Sequence, residues 1–412
     1  MDELDALRQM RTALAEEEPA ERIAMRTGWR PDAEKAPWRR AGDRPRRRRN
    51  WRIPLVSVVA AGAATVTAVS LISSGGSSGG SSGRTVGPGG QSTAPLPGNV
   101  LLVAASNAEK APTGRYWHTE TVLGEIYGVG KSAANHYKVD SRQRIVRWVG
   151  PDGERGGNVD LGGRPLTADD MRKWRQAGSP RQVEVPNNDG DSPAIVFMDV
   201  PRPSGPPSWR PGDGRYFGMT AKQVAALPTD AEALENVLLD LKGNWHAYTS
   251  SAEQEPIRAL RGEERTRALT EVAATLLSTA PAPPKVRAAA FRMLAAVPGI
   301  KAEGTAADPM GRTGTVISLP LKTTMPLGLY TQPKQLGTYR RQWIIDPAAG
   351  KLLAVRDLVA TPPRGSRPLP PGDNGKPRSL KVEDMPDRFH KPGELASYEL
   401  FEVTEWTNTP PK

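Results

Sequence analysis

Residues 53–72 read IPLVSVVAAGAATVTAVSLI, a run without a single charge, and this run limits the architecture more than any other feature. At about 1.5 Å per residue, a helix over it is about 30 Å long, which matches the hydrocarbon thickness of a bilayer. Pro54 falls in the first turn, where a missing N–H costs little. The flanks are unequal. Upstream stand Arg46, Arg47, Arg48 and Arg49, then Asn50, Trp51 and Arg52; downstream comes SSGGSSGGSSG, with no charge at all. Basic residues stay on the cytoplasmic side, so the N-terminus is expected inside and the C-terminal part outside. Trp51 would sit at headgroup level, and each arginine would be drawn to anionic lipid by about 1 kcal/mol.

A buried core helix would not carry this asymmetry. A cleaved signal peptide would have a shorter leader and an A-x-A site, and neither is present. Arg48-Arg49-Asn50-Trp51 is a partial twin-arginine pattern, with Trp where Phe is usual. An uncleaved anchor is the expectation. Residues 1–52 are then a basic cytoplasmic tail, 53–72 a transmembrane helix, 73–99 a Gly/Ser/Pro linker and 100–412 an extracytoplasmic domain. Localisation follows: cell membrane, single-pass.

Mean hydropathy of −0.51 and 37% hydrophobic residues exclude a polytopic membrane protein. The net charge of +11 raises nucleic acid or an anionic membrane as a partner. The densest basic run abuts the apolar span, so topology accounts for it, and the expected partner is the lipid bilayer rather than nucleic acid. The absence of cysteine removes disulfides, thiolate zinc sites, cysteine nucleophiles and a lipobox.

In the tail, Leu4, Leu7, Met10 and Leu14 recur at helical spacing. This short helix would dock on a cytoplasmic protein partner or lie on the membrane; the alternative is a disordered stub. Beyond the linker, residues 115–122 and 143–149 alternate as strands do, and Pro151-Asp152-Gly153 is a turn. Thr167 with Asp170 predicts a capped helix through Met171 and Trp174, and residues 194–200 a further strand. Thr229 with Glu232 predicts a second capped helix, closed by Gly243; residues 263–277 form a third, and Pro283-Pro284 opens a fourth. Asp308-Pro309-Met310-Gly311 and Asp346-Pro347-Ala348-Ala349-Gly350 are tight turns, since Pro presets φ and Gly supplies positive φ. Around the second, Tyr339, Arg341, Trp343 and Ile345 alternate against Arg340, Gln342 and Ile344, which predicts a hairpin. Residues 397–406 read as a closing strand. Strands, then helices, then strands predict an α+β fold with an antiparallel sheet packed against helices.

Residues that invite a catalytic reading have simpler ones. Gly128-Val129-Gly130-Lys131-Ser132 contains GKS, but a P-loop needs glycine where Glu125 stands, so a glycine loop between strands is expected. His118, His136, His246 and His390 lack partners at metal-ligand spacing. Residues 187–192 cluster oxygens without an EF-hand pattern and suit a solvated turn. Asp169-Asp170 and Glu263-Glu264 lie near helix starts, where negative charge offsets the dipole. The tryptophans beyond the span suit a core better than a pocket. No catalytic constellation, cofactor site or metal site is predicted, and the chain is not expected to be an enzyme.

The stretch PPKVRAAAFRMLAAVPG from Pro283, then Asp308 with Gly311-Arg312-Thr313-Gly314, then Ile344-Ile345-Asp346-Pro347 with Gly350-Lys351-Leu352-Leu353, resembles an actinobacterial family of single-pass membrane proteins. Its members have a Met-Asp-Glu-Leu-like start, as at Met1 to Leu4, and a basic stretch before the span. The resemblance implies an extracytoplasmic domain and transfers no activity or site residue. A sheet holding helices on one side is similar to periplasmic lipoprotein carriers and to the sensor domains of sigma-factor regulators. Two functions are thus expected. One is an extracytoplasmic binding or sensing module for a lipid or small apolar ligand; the other is an anti-sigma-like transmembrane regulator acting through its tail.

Overall fold

The computed structural model describes residues 97–410, apart from 152, 187–192, 199–201, 204–207, 211–213, 244, 246–253, 324–335 and 370–376. The predicted span, the arginine run and the tail helix lie outside the described residues. Among the described residues no helix is long and apolar enough to cross a membrane. His246 and residues 187–192 also fall outside.

The domain is α+β, as the strand and helix blocks predict. Ten strands form its main sheet: β1 (Tyr116–Gly130), β2 (His136–Gly150), β3 (Gly153–Pro165), β4 (Arg202–Pro203), β5 (Ser208–Arg210), β6 (Lys301–Ala307), β7 (Thr313–Thr323), β8 (Thr338–Asp346), β9 (Lys351–Thr361) and β10 (Leu395–Thr407). Their spatial order is β6-β7-β8-β9-β10-β1-β2-β3-β4, with β5 also on β3, and every pairing is antiparallel. The last long strand, β10, therefore joins the N-terminal hairpins to the C-terminal ones. Among the described residues, six α-helices accompany the sheet: α1 (Pro97–Glu109), α2 (Ala168–Gln176), α3 (Ala221–Ala225), α4 (Ala231–Leu239), α5 (Gly262–Leu277) and α6 (Pro284–Ala296).

Local chemistry explains several boundaries. Thr167 accepts from the Asp170 amide at 3.1 Å and Asp170 returns the bond at 3.1 Å, while its other oxygen accepts from the Lys138 amide at 2.8 Å. The capping box thus also fastens α2 to β2. Pro284 opens α6 at its first turn. In the predicted hairpin Gly350 takes φ 61° between β8 and β9. Its lack of a side chain lets α1 approach, since a Cβ there would lie 2.2 Å from the Ala108 nitrogen.

Three expectations are corrected. The linker was expected to run to residue 99, but α1 starts at Pro97, because proline followed by an apolar run begins a helix as readily as it ends a linker. Asp230, not Thr229, caps α4 by accepting from Ala233 at 2.9 Å, and the helix ends at Leu239, with Gly243 already in a short strand. The strand expected over residues 194–200 ends at Phe197 and pairs with Gln182–Val185 in a separate two-stranded sheet.

One face of the main sheet carries the principal core. Trp117, Phe401, Val355, Trp343 and Ile317 are all buried there, against α1, α5 and α6. The Trp117 indole donates to Thr279 O at 3.0 Å, in the loop between α5 and α6. Burying a large side chain in this way stabilises the fold by about 2 kcal/mol, so Trp117 and Trp343 are core, whereas Trp148, Trp174 and Trp406 are only half-buried. On the opposite face Val122, Ile126, Ile344, Leu353 and Leu400 form a second cluster.

Candidate functional site

On the helical face the apolar zone gives way to a polar row that the strand registers define. Arg341 pairs with Asp357, Asp357 with Ser397, Ser397 with Glu125, and Glu125 with Ser141. Directly opposed residues in an antiparallel pair share a face, so these side chains from β8, β9, β10, β1 and β2 form one line.

Arg341 is the row's cation and is 5% exposed. It donates to both oxygens of Asp357, at 3.3 and 3.2 Å, and to Glu271 of α5 at 2.9 Å. Burial works against the guanidinium, but Asp357 and Glu271 more than offset it and hold it above its ordinary value. The Asp357 carboxyl is pushed up by burial, with Arg341 opposing.

Farther along, the row turns acidic. Glu125 accepts from the Tyr127 hydroxyl at 2.5 Å. Asp387 accepts from the Tyr339 hydroxyl at 3.0 Å on one oxygen, while the other, Oδ1, is buried with no hydrogen-bond partner among the described residues. Desolvation pushes the Glu125 carboxyl up to about 7, with the Asp387 charge adding to the rise. Desolvation also pushes Asp387 up to about 6. Glu125 nevertheless keeps some solvent contact, so water reaches the row at this point. Burial drives both phenols upward, and the neighbouring carboxylates add to it, so Tyr127 and Tyr339 act as neutral donors.

Asp387 belongs to a strap, residues 385–394, that follows a 3-10 turn at Val382–Asp384 and leads into β10. The strap covers the end of β1. Pro386 O accepts from the Gly128 amide at 2.7 Å, and Arg388 donates to Gly128 O at 3.1 Å and to Gly130 O at 2.8 Å. The Phe389 ring packs where a Gly128 Cβ would be, 2.9 Å from that position.

The residues singled out in the sequence have structural roles. Gly128 and Gly130 end β1 beneath the strap, with Lys131 and Ser132 exposed in the turn to β2. The backbone carbonyls of Gly128 and Gly130 are taken by Arg388. The glycines expected in a loop between strands lie instead in β1, paired with β2, and the loop starts at Lys131. His118 stacks on Trp148 at 3.8 Å, and His136 contacts Ala133 O at 2.7 Å. Buried His390 is pushed down to about 3 by desolvation, with Lys138 adding to the fall. Among the described residues no three His, Asp or Glu side chains converge as metal ligands would. Asp170 caps α2, and Glu263 sits in the first turn of α5. Trp117, Trp245 and Trp343 are fully buried.

Sequence patterns alone do not single out Glu125, Asp357, Asp387, Tyr339 or Arg341 as site residues. Two signals are nevertheless present. Glu125 interrupts an otherwise apolar alternation, and Arg341 occupies the face of its strand that Trp343 and Ile345 make apolar. The chain matches no protein-family model, no curated protein and no solved structure.

Proposed function

We propose that the chain is a membrane-anchored extracytoplasmic binding or sensing protein whose recognition surface is the polar row. The observation that carries this reading is a polar row with Arg341, Asp357 and Glu271 paired at one end and Glu125 and Asp387 tied to tyrosine hydroxyls at the other, on the face that otherwise holds the core. Apolar residues of similar volume would fold at least as well, because buried charge costs more in desolvation than pairing returns. Carboxylates outnumber the cation, so the row suits a ligand that donates hydrogen bonds or carries positive charge. This class is more polar than the apolar ligand expected from architecture alone. The carboxyls are tied to tyrosine hydroxyls and to Arg341, an arrangement suited to holding a ligand rather than to attacking one. The span at residues 53–72 would keep the domain at the outer membrane surface, and the tail would carry the signal inward.

The test uses the full chain in lipid nanodiscs, with thermal shift and native mass spectrometry against alkylamines, polyamines and phospholipid. A cationic ligand that raises Tm in the wild type and does nothing for Glu125→Gln/Asp387→Asn is expected. Phospholipid retained equally by both proteins, with no response to the amines, would remove the row from consideration.

A further inference from the structure

The geometry points to an oxyanion site on the face of the main sheet turned away from the helices, seated on Arg356 and Arg340 and suited to a phosphate group. It lies on the opposite face from the polar row and stands or falls apart from that binding reading.

The problem is posed by β9. On this face Ala354 and Leu358 belong to the second apolar cluster, and Arg356 stands between them at 7% exposure. An apolar side chain would continue the cluster there, because a buried charge costs more in desolvation than pairing returns. Five arginines are buried among the described residues. Arg147 answers to Glu154, Arg267 to Glu263, and Arg341 to Asp357 and Glu271. Arg287 donates to Leu277 O at 3.0 Å, at the negative end of α5, and lies over the Trp117 ring. Arg356 has only the neutral Gln342, whose Oε1 accepts from its Nε at 3.0 Å.

Gln342 holds this guanidinium in one orientation. Its Nε2 donates to Glu303 at 2.8 Å and to Ser318 Oγ at 3.1 Å, so its carbonyl end faces Arg356. The registers bring these residues together: Gln342 of β8 is paired with Ser318 of β7 and with Arg356 of β9. On the other side Tyr398 of β10 opposes Arg356, but its ring lies over Gly124 and its hydroxyl is given to Asp140. The Nη atoms of Arg356 therefore have no partner among the described residues, and neither is sealed from solvent. They form the planar fork that takes two oxygens of a phosphate.

A second cation stands beside the first. Arg340 pairs with Leu358, which places it diagonal to Arg356 across β8 and β9, within reach of a shared ligand. It is exposed, and its side chain has no acid partner among the described residues. The two guanidiniums repel, and Glu303, the carboxylate that bears on Arg356, is engaged by Gln342. Neighbouring cations of this face are matched: Arg144 by Glu402 and Glu120, Lys138 by Glu394, and Arg164 by Asp140. Positive charge is left over at Arg340 and Arg356, and a bound oxyanion supplies the anion that the chain does not.

The test uses the full chain in zwitterionic nanodiscs, with two probes. Inorganic phosphate is compared with chloride at matched ionic strength by thermal shift, and sucrose-loaded phosphatidylglycerol vesicles are pelleted against phosphatidylcholine ones. A response to phosphate identifies a free oxyanion; co-pelleting with phosphatidylglycerol alone identifies a lipid headgroup. Arg356→Gln and Arg340→Gln are each expected to weaken the response about tenfold, since each removes charge-assisted bonds to the ligand. Arg356→Lys, which keeps the charge and loses the fork, is expected to fall between. Arg144→Gln is expected to bind as the wild type does. No response to either probe, or one that Arg144→Gln weakens as much as Arg340→Gln does, would overturn the site. Should Arg356→Gln unfold the domain without any probe, Arg340→Gln decides, because that side chain is exposed.

Discussion

The ring of Tyr398 lies directly over Gly124 of the neighbouring strand and carries its hydroxyl to Asp140, at 2.9 and 3.0 Å from the two carboxylate oxygens. A Cβ on Gly124 would sit 2.1 Å from Tyr398 Cζ. The ring is 1% exposed and is tethered at its tip, so it cannot swing aside without giving up Asp140. Gly124→Ala is therefore expected to destabilise the domain by about 1–3 kcal/mol, the usual cost of overpacking. Chemical denaturation would show it, and Tyr398→Phe should recover part of the loss in the double variant by untethering the ring.

Arg312 gathers three distant pieces of chain. Its Nε bonds Asp308 Oδ2 at 2.6 Å, while its two Nη atoms bond Phe401 O at 2.8 Å and Leu353 O at 2.9 Å. Asp308 in turn accepts from the amides of Met310 and Arg312 and so holds the turn that presents the guanidinium. Arg312→Ala is expected to cost about 2–4 kcal/mol, since two carbonyls and a buried carboxylate lose a charged donor together. Asp308→Ala should add little on top, and a double-mutant cycle in denaturant measures that coupling.

These two cases show what the sequence reveals and what it hides. Thr167 with Asp170, the Asp346 to Gly350 turn and Pro284 are short-range signals, and each sits in the structure where its spacing predicts. The turn motif containing Asp308 and Arg312 is legible as a turn, but its reach to Phe401 is not, because that contact spans 89 positions. The polar row is harder still. Glu125, Arg341, Asp357 and Ser397 come together only through three strand pairings whose register no local pattern specifies. Asp387 arrives on a segment with no periodicity, inside a Pro/Gly-rich stretch that reads as an excursion.

Arg341→Leu is expected to be among the most damaging single changes in the domain. It leaves Asp357, 8% exposed, and Glu271, 15% exposed, without their shared cation. Breaking such a buried pair from one side costs about 3–5 kcal/mol. Adding Asp357→Asn should restore much of the loss by removing the orphaned charge, which thermal denaturation of the single and double variants would reveal.

The arginine run before residue 53 makes a separate prediction about topology. Under the proposed anchoring at residues 53–72, replacing Arg46, Arg47, Arg48 and Arg49 with glutamate would remove the charge asymmetry that sets its orientation. A protease added outside intact cells is expected to digest the domain of the wild type and to leave a protected fraction in the variant. Equal digestion of both would show that these residues do not set the orientation.

Stability should fall as pH rises through the range in which Glu125 and Asp387 titrate. Glu125 is raised from an ordinary value of 4.5 to about 7, and Asp387 from 3.8 to about 6. Between those limits the folded protein holds protons that the unfolded chain has released. The slope of unfolding free energy against pH is therefore negative across that window and flattens above about 7. Glu125→Gln removes its share of the slope. The variant is expected to match the wild type near pH 4 and to exceed it increasingly up to pH 8. The gain is at most about 3 kcal/mol, since each tenfold change in proton affinity is worth about 1.4 kcal/mol. Urea titrations at several pH values measure the difference. A gap that does not widen with pH would mean that Glu125 ionises in the folded protein as it does in the unfolded one.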